Sequence, residues 1–203
     1  MWARVTRVSS ERIGVLGGTF DPIHLGHLVV ASEVCAVLEL DRLILVPAHQ
    51  QPFKDSTGHA TPEQRLAMCR LAVEGDDRLE VSDVDIARGG LTYTVDTLAD
   101  IAAAYPDAEL FFIAGADAVS RLSEWREPER LMKLARFVGV ARQGHAVPAL
   151  SPPHLVVETL EVRVSSTEVR RRRRAGAPVR YLVPDAVAAY VALHALYLGG
   201  SDV

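Results

Sequence analysis

The sequence predicts a doubly wound α/β fold on a mostly parallel sheet, and three observations carry that prediction. Six short apolar runs are spread along the 203 residues, helical patterns lie between them, and several of the runs are apolar on both faces. Strands buried on two sides read as continuous apolar stretches. Strands joined through helices need crossover connections, which are right-handed and leave helices on both faces of the sheet. Ligands of such folds bind in the crevice beyond the C-terminal strand ends.

The first strand is "IGVL" at 13–16, followed by a helical pattern over 25–38. The second, "RLILVPA" at 42–48, leads through the polar, Pro- and Gly-containing stretch "HQQPFKDSTGHA" (49–60) to the best-marked helix start in the chain. There Thr61 is a good N-cap, Pro62 suits the first helical position, Gln64 completes a capping box, and Leu66, Cys69 and Val73 recur at helical spacing. "LEVSDVDI" (79–86) reads as the third strand, with a helix over 94–104 after it. "LFFIAG" (110–115) reads as the fourth, with helices over 117–123 and 127–135. "RFVGVAR" (136–142) and "LVVETL" (155–160) follow, separated by "QGHAVPALSPPH" (143–154). Helices over 166–174 and 185–198 close the chain, the last beginning at Asp185 after Pro184 and turning Val187, Val191, His194 and Leu198 roughly to one face. Mobility is expected in 49–60 and 143–154. With no internal repeat or long linker, one domain over 12–203 is expected, after a flexible extension over 1–11.

Composition narrows the function classes. The chain is 49% hydrophobic and 24% charged, and its formal net charge of −4 argues against bulk attraction to nucleic acid despite "RRRRR" at 170–174. No apolar run approaches the roughly 18 residues of a membrane span. The start, "MWARVTRVSSERIG", lacks the apolar core of a signal peptide, so a cytoplasmic location is expected, with no membrane partner. Cys35 and Cys69 fall in helical patterns without metal-ligand spacing and read as buried, reduced core residues.

The junction "IGVLGGTFDPIHLGH" is where chemistry is indicated. Gly17 and Gly18 follow the first strand directly, so bare backbone can turn and approach a ligand, and Thr19, Phe20 and Asp21 come next. The helix starting near Leu25 turns N–H groups and a positive dipole end to the same space, which suits a phosphate. His24 and His27 can both face it. The spacing is neither GxGxxG nor a Walker loop, and "HLGH" lacks the partners of a zinc site, so spacing alone leaves the ligand open. A second anion-binding pattern is "SSTEVR": Ser165, Ser166 and Thr167 open a helix with hydroxyls and N–H groups, and Arg170 adds a permanent charge one turn on. Taken alone, that pattern reads first as an ordinary N-cap.

"GGTFDPIHLGH" closely resembles the strand-1 signature of the HxGH nucleotidyltransferase superfamily, and "SSTEVR" resembles its second signature. Within it, "TYTVDTL" (92–98), "FFIAGADAVSRLSEW" (111–125) and "YLVPDAVAAYV" (181–191) resemble segments of bacterial nicotinate-mononucleotide adenylyltransferases. The likeness runs from about residue 13 to residue 198. Departures are Phe53 where the family often has His before Lys54, Thr92 where Ser is usual, and Val164 where Ile is usual.

The resemblance implies a Rossmann-like nucleotidyltransferase fold and transfer of AMP from ATP to nicotinate mononucleotide, with loss of pyrophosphate and no covalent enzyme intermediate. It implies that His24 meets the α-phosphate, His27 the leaving phosphates, Ser166 and Arg170 the β and γ groups, and Lys54 the acceptor phosphate. Gly17, Gly18, Thr19, Phe20, Gly115, Ser165 and Thr167 would complete the ATP site, with Mg²⁺ carried on the ATP phosphates and few or no protein ligands. Asp117 reads equally as a ribose ligand or a helix N-cap. Trp125 reads as a platform for the pyridine ring or as a core residue, with Thr92, Tyr93 and Thr94 opposite and backbone N–H groups near Thr94 and Arg126 holding the carboxylate. Competing readings are an adenylyltransferase for phosphopantetheine or for the amide mononucleotide, and a nucleotide- or RNA-binding protein that keeps the fold. A homo-oligomer is neither specified nor excluded.

Overall fold

The computed structural model describes residues 10–51, 60–142 and 154–199. Its strands are β1 (Arg12–Gly18), β2 (Arg42–Pro47), β3 (Leu79–Val81), β4 (Glu109–Gly115), β5 (Arg136–Arg142) and β6 (Leu155–Thr159). They form one sheet in the order β3-β2-β1-β4-β5-β6, with every neighbouring pair parallel. The helices are α1 (Leu25–Val37), α2 (Pro62–Val73), α3 (Val84–Arg88), α4 (Thr94–Ala104), α5 (Ala116–Val119), α6 (Pro128–Leu134), α7 (Ser166–Arg174) and α8 (Asp185–Leu193). The strand order reverses between β1 and β4, so the crevice where such folds hold ligands lies beyond Gly18 and Gly115.

Alternation along the strands builds two cores. Leu43 and Leu45 of β2, with Phe111 and Ile113 of β4, pack with α1, α2, α7 and α8 through Val34, Met68, Val169 and Val187. Ile44 and Val46, with Leu110 and Phe112, pack on the opposite face with α4 and α6 through Leu98, Ile101 and Leu131. This period of two is what a sheet covered on both sides requires. At Gly14 a Cβ would stand 2.7 Å from Leu40 Cδ1, which explains a glycine inside β1.

The Thr61 cap forms as expected: its hydroxyl accepts from the Gln64 N–H, and the Gln64 side chain accepts from the Thr61 N–H. Cys35 and Cys69 are buried free thiols, their pKa values pushed up to about 11 and about 12 by burial. Glu11, placed by the sequence in an N-terminal extension, already accepts the Glu109 N–H on its carbonyl at 2.7 Å.

Four element boundaries differ by more than one residue from the sequence reading. The first strand runs on through Gly17 and Gly18, which pair with Val46 and Pro47 of β2 instead of turning directly after residue 16. The third strand ends at Val81 rather than 86, and α3 follows, because Asp85 turns inward to accept the Thr97 hydroxyl at 2.8 Å. The helix expected over 117–123 is α5 followed by a separate 3-10 turn at Leu122–Glu124. The last helix stops at Leu193 instead of 198, since Ala195 and Tyr197 adopt left-handed backbone (φ 49 and 62) and bend the chain back. Val187 and Val191 are buried as expected, whereas His194 caps the helix and Leu198 is exposed. Among the described residues no helix is long and apolar enough to cross a membrane.

Candidate active site

The loop leaving β1 is shaped by small residues with specific neighbours. A Cβ on Gly18 would lie 2.8 Å from the Phe20 ring, which is itself buried at φ 51. Phe20 meets the His27 ring edge-on, centroids 5.0 Å apart. Within "HLGH", a Cβ on Gly26 would stand 3.1 Å from His24 Nδ1 and 3.3 Å from Val164, so glycine there leaves His24 its place.

His24 is the N-cap residue of α1 and His27 lies one turn in. The His24 N–H donates to His27 Nδ1 at 3.2 Å. That acceptor role puts the proton of a neutral His27 on Nε2. His24 is 7% exposed, and burial lowers its pKa to about 4, so it is neutral near pH 7. The free N–H groups expected at the start of α1 are partly consumed: Leu25 N–H donates to Leu182 O at 2.9 Å and His27 N–H to His24 O at 3.0 Å. The loop before α8 closes over this helix end, so fewer backbone N–H groups are open there than the helix start alone suggests.

The second motif docks on the first. Ser165 is the N-cap of α7, its hydroxyl accepting the Glu168 N–H at 3.2 Å. Ser166 Oγ donates to Pro22 O at 2.9 Å, and Arg170 donates to Asp21 O at 2.7 Å and to Thr167 Oγ1 at 3.3 Å. Two signatures about 140 residues apart in sequence thus share one loop. Thr19 Oγ1, His24 Nδ1 and Arg170 Nε are buried polar atoms without a hydrogen-bond partner among the described residues. Of the remaining arginines, Arg171 and Arg172 both pair with Glu168 at 2.8 Å.

On the other side of the crevice, Thr92 is tied to the end of β2: its Oγ1 accepts the His49 N–H at 3.0 Å, and its N–H donates to Gln50 O at 2.8 Å. Tyr93 caps α4, and Thr94 is that helix's first residue. The Arg126 guanidinium lies over the Tyr93 ring at 4.5 Å, which brings the "TYT" and Trp125–Arg126 segments together. Trp125 is half-buried and meets Phe112 and Phe137 edge-on at 5.9 and 6.1 Å. A Cβ on Gly17 would in turn touch Phe112 at 3.6 Å. Gly115, not Asp117, is the N-cap of α5, so the capping alternative for the exposed Asp117 does not hold. Lys54 and Phe53 lie outside the described residues.

Sequence reasoning missed Arg65. From α2 this residue, 4% exposed, donates to Thr19 O and Ala48 O at 2.7 Å each and to His49 O at 2.8 Å. It therefore clasps the loop after β1 to the loop after β2. Its trace in the sequence is an arginine four residues before Cys69, on the buried stripe of the helix.

An all-parallel sheet with a His-x-Gly-His helix start and a Ser-Ser-Thr-x-x-Arg helix meeting at its switch point defines a nucleotidyltransferase. The family model described as cytidylyltransferase-like matches residues 15–172. A Corynebacterium kroppenstedtii protein named "Probable nicotinate-nucleotide adenylyltransferase" is 47% identical over 204 residues, covering 98% of this chain and 96% of that protein. One of the same name from Clavibacter michiganensis is 50% identical over 189 residues, covering 92% and 94%. The chain belongs to the nicotinate-nucleotide adenylyltransferase family. A solved Plasmodium falciparum nicotinic acid mononucleotide adenylyltransferase, complexed with NaAD, shares the fold at a TM-score of 0.76 and 18% identity, covering 92% of this chain and 97% of that one.

Proposed function

We propose that the protein transfers AMP from ATP to nicotinate mononucleotide, forming nicotinate adenine dinucleotide and pyrophosphate. The observation that carries this reading is the docking of Ser166 and Arg170 on the Asp21–Pro22 backbone, which sets the arginine beside the His24–His27 helix start. An acceptor 5′-phosphate oxygen forms the new bond to the α-phosphorus as the bond to the bridging oxygen breaks, and that electron pair leaves with pyrophosphate. Such a displacement asks the protein for alignment and for stabilisation of phosphoryl charge.

His24, neutral at pH 7, serves as a hydrogen-bonding group at the α-phosphate, and His27 faces the leaving phosphates. Ser166, Thr167 and Arg170 hold the β and γ groups, and the Gly17–Gly18 end of β1 with Thr19 and Phe20 admits the chain of phosphates. Buried polar atoms are ordinarily hydrogen-bonded, so the unpartnered Thr19 Oγ1, His24 Nδ1 and Arg170 Nε fit a polyanionic ligand. Gly115, where a Cβ would meet nothing within 4 Å, and Asp117 border the nucleoside. Lys54 meets the acceptor phosphate, and Trp125, Tyr93, Thr94 and Arg126 receive the pyridine ring and its carboxylate.

Among the described residues no group of three or more His, Cys, Asp or Glu side chains could hold a metal, while the site's donors are imidazoles, hydroxyls and a guanidinium. That donor set fits Mg²⁺ held through the triphosphate oxygens that Ser166, Thr167 and Arg170 position, where the ion would supply charge neutralisation. Cytoplasmic action fits the absence of a membrane-spanning helix among the described residues. The test is incubation of the protein with ATP, Mg²⁺ and nicotinate mononucleotide, with products identified by mass spectrometry. The dinucleotide and pyrophosphate in equal amounts are expected; hydrolysis of ATP without dinucleotide would contradict the reading.

A further inference from the structure

We propose that Tyr197, in the tail beyond α8, is a positioning residue of the active site: its hydroxyl fixes the Asp21 carboxylate at ion-pair rather than hydrogen-bond distance from Arg170, so that the Arg170 side-chain N–H groups are not taken up by the carboxylate and can turn to phosphate. Tyr197 is 6% exposed, and its hydroxyl donates to Asp21 Oδ1 at 2.7 Å. The same oxygen accepts the Ala60 N–H at 3.2 Å, at the approach to α2. The other carboxylate oxygen stands 3.9 Å from Arg170 NH1, beyond hydrogen-bond reach, while that NH1 donates to the Asp21 carbonyl at 2.7 Å. Asp21 thus hydrogen-bonds Arg170 through its backbone carbonyl, while its carboxylate, held at Oδ1 by Tyr197 and Ala60, pairs with the guanidinium only at ion-pair distance.

The distinction matters chemically. A guanidinium in direct hydrogen-bonded contact with a carboxylate has donors and charge committed to that partner, and a phosphate must then displace the carboxylate. Arg170 instead gives its hydrogen bond to a neutral carbonyl, with the carboxylate at ion-pair distance and outside hydrogen-bond reach. The tail's geometry supports this role: Ala195 and Tyr197 both take left-handed backbone, uncommon for residues with side chains, and the bend carries the ring back to Asp21. Burial, with the Asp21 charge adding to it, pushes the Tyr197 pKa far up, so the hydroxyl remains a donor throughout the working pH range. Arg65 adds a favourable charge beside Asp21 and makes the anion tolerable there.

This inference rests on the reading of Arg170 as a phosphate ligand, and the experiment separates the two. Inorganic pyrophosphate is titrated calorimetrically into the full chain, into Tyr197→Phe and into Arg170→Ala, with KM for both substrates and Tm measured alongside. Tyr197→Phe removes one oxygen and keeps the ring. Its pyrophosphate affinity should fall about five- to tenfold and its KM for ATP should rise by a similar factor, with KM for the mononucleotide unchanged. Unaltered pyrophosphate affinity in Tyr197→Phe, against a clear loss in Arg170→Ala, would overturn the positioning role alone. A lowered Tm with both KM values shifted equally would also overturn it, as a merely structural effect. Wild-type affinity in Arg170→Ala would overturn the phosphate reading itself and this inference with it.

Discussion

The rings of His24 and His27 are stacked, centroids 3.7 Å apart and planes 20° from parallel. Two imidazolium ions at that separation would repel strongly, so the pair accommodates at most one positive charge with ease. Burial settles which ring stays neutral, holding the His24 pKa near 4. The fixed charge nearby is then Arg170, and in the proposed reaction the histidines would act first as oriented hydrogen-bonding groups.

That depressed pKa makes a stability prediction with a definite sign. The unfolded chain takes up a proton at His24 near its ordinary value of 6.5 and the folded chain only near 4. The associated stability is complete above pH 6.5 and is lost as pH falls toward 4, on the order of 2 to 3 kcal/mol. Denaturant unfolding of wild type and His24→Gln between pH 7 and 4 should show the shallower decline in the variant. Turnover is a separate readout: His24→Ala and His27→Ala should each lower kcat by at least about 10²-fold, with far-UV circular dichroism unchanged.

The arginine run divides by contact. Arg170 faces the Asp21 carbonyl, whereas Arg171 and Arg172 are spent on Glu168 at the surface. Arg170→Ala should raise KM for ATP by about tenfold or more, the scale of losing a charge-assisted contact. The double change Arg171→Ala, Arg172→Ala should leave KM within about twofold. Equal losses in the two proteins would point to a diffuse basic surface for nucleic acid.

Arg65→Lys keeps the charge and loses the fork. One ammonium cannot replace three hydrogen bonds to carbonyls on two loops, and buried carbonyls left without donors cost about 1 to 3 kcal/mol each. Chemical denaturation should show a loss of about 2 to 4 kcal/mol, with KM for both substrates raised because both loops border the crevice. An unchanged midpoint would mean that the clasp carries no energy.

Trp125 packs as a core residue and is also exposed enough to serve the stacking role proposed for it. Its edge contacts with Phe112 and Phe137 are core packing, and it remains half-exposed beside the Arg126–Tyr93 stack. Trp125→Ala should therefore lower stability by about 3 kcal/mol and raise KM for the mononucleotide about tenfold, with KM for ATP little changed. A defect confined to stability would remove its assigned stacking role.

The sheet was legible because buried parallel strands and helical periods write themselves locally: β1, β4 and β5 fall within one to two residues of their apolar runs. The His24–His27 and Ser166–Arg170 pairs were legible through signature spacing. What escaped was tertiary. "LEVSDVDI" alternates like a strand, yet Thr97 and Arg88 draw Asp85 into a helix. Apolar spacing extended α8 through residue 198, whereas the bond from Tyr197 to Asp21 requires a bend after Leu193. The clasp of Arg65 is made to backbone carbonyls, which carry no side-chain signature at all.

The central claim is adenylyl transfer to the acid mononucleotide, and the most direct measurement is kcat/KM for nicotinate mononucleotide against nicotinamide mononucleotide, followed by pyrophosphate release at fixed ATP and Mg²⁺. In the proposed site, backbone N–H groups near Thr94 and the Arg126 guanidinium, the latter also 4.0 Å from the Asp96 carboxylate, would match a carboxylate better than an amide NH₂. A preference for the acid of about 10³- to 10⁴-fold is predicted, the range that buried hydrogen-bond discrimination reaches. Comparable values for the two mononucleotides, or a preference for the amide, would contradict the account.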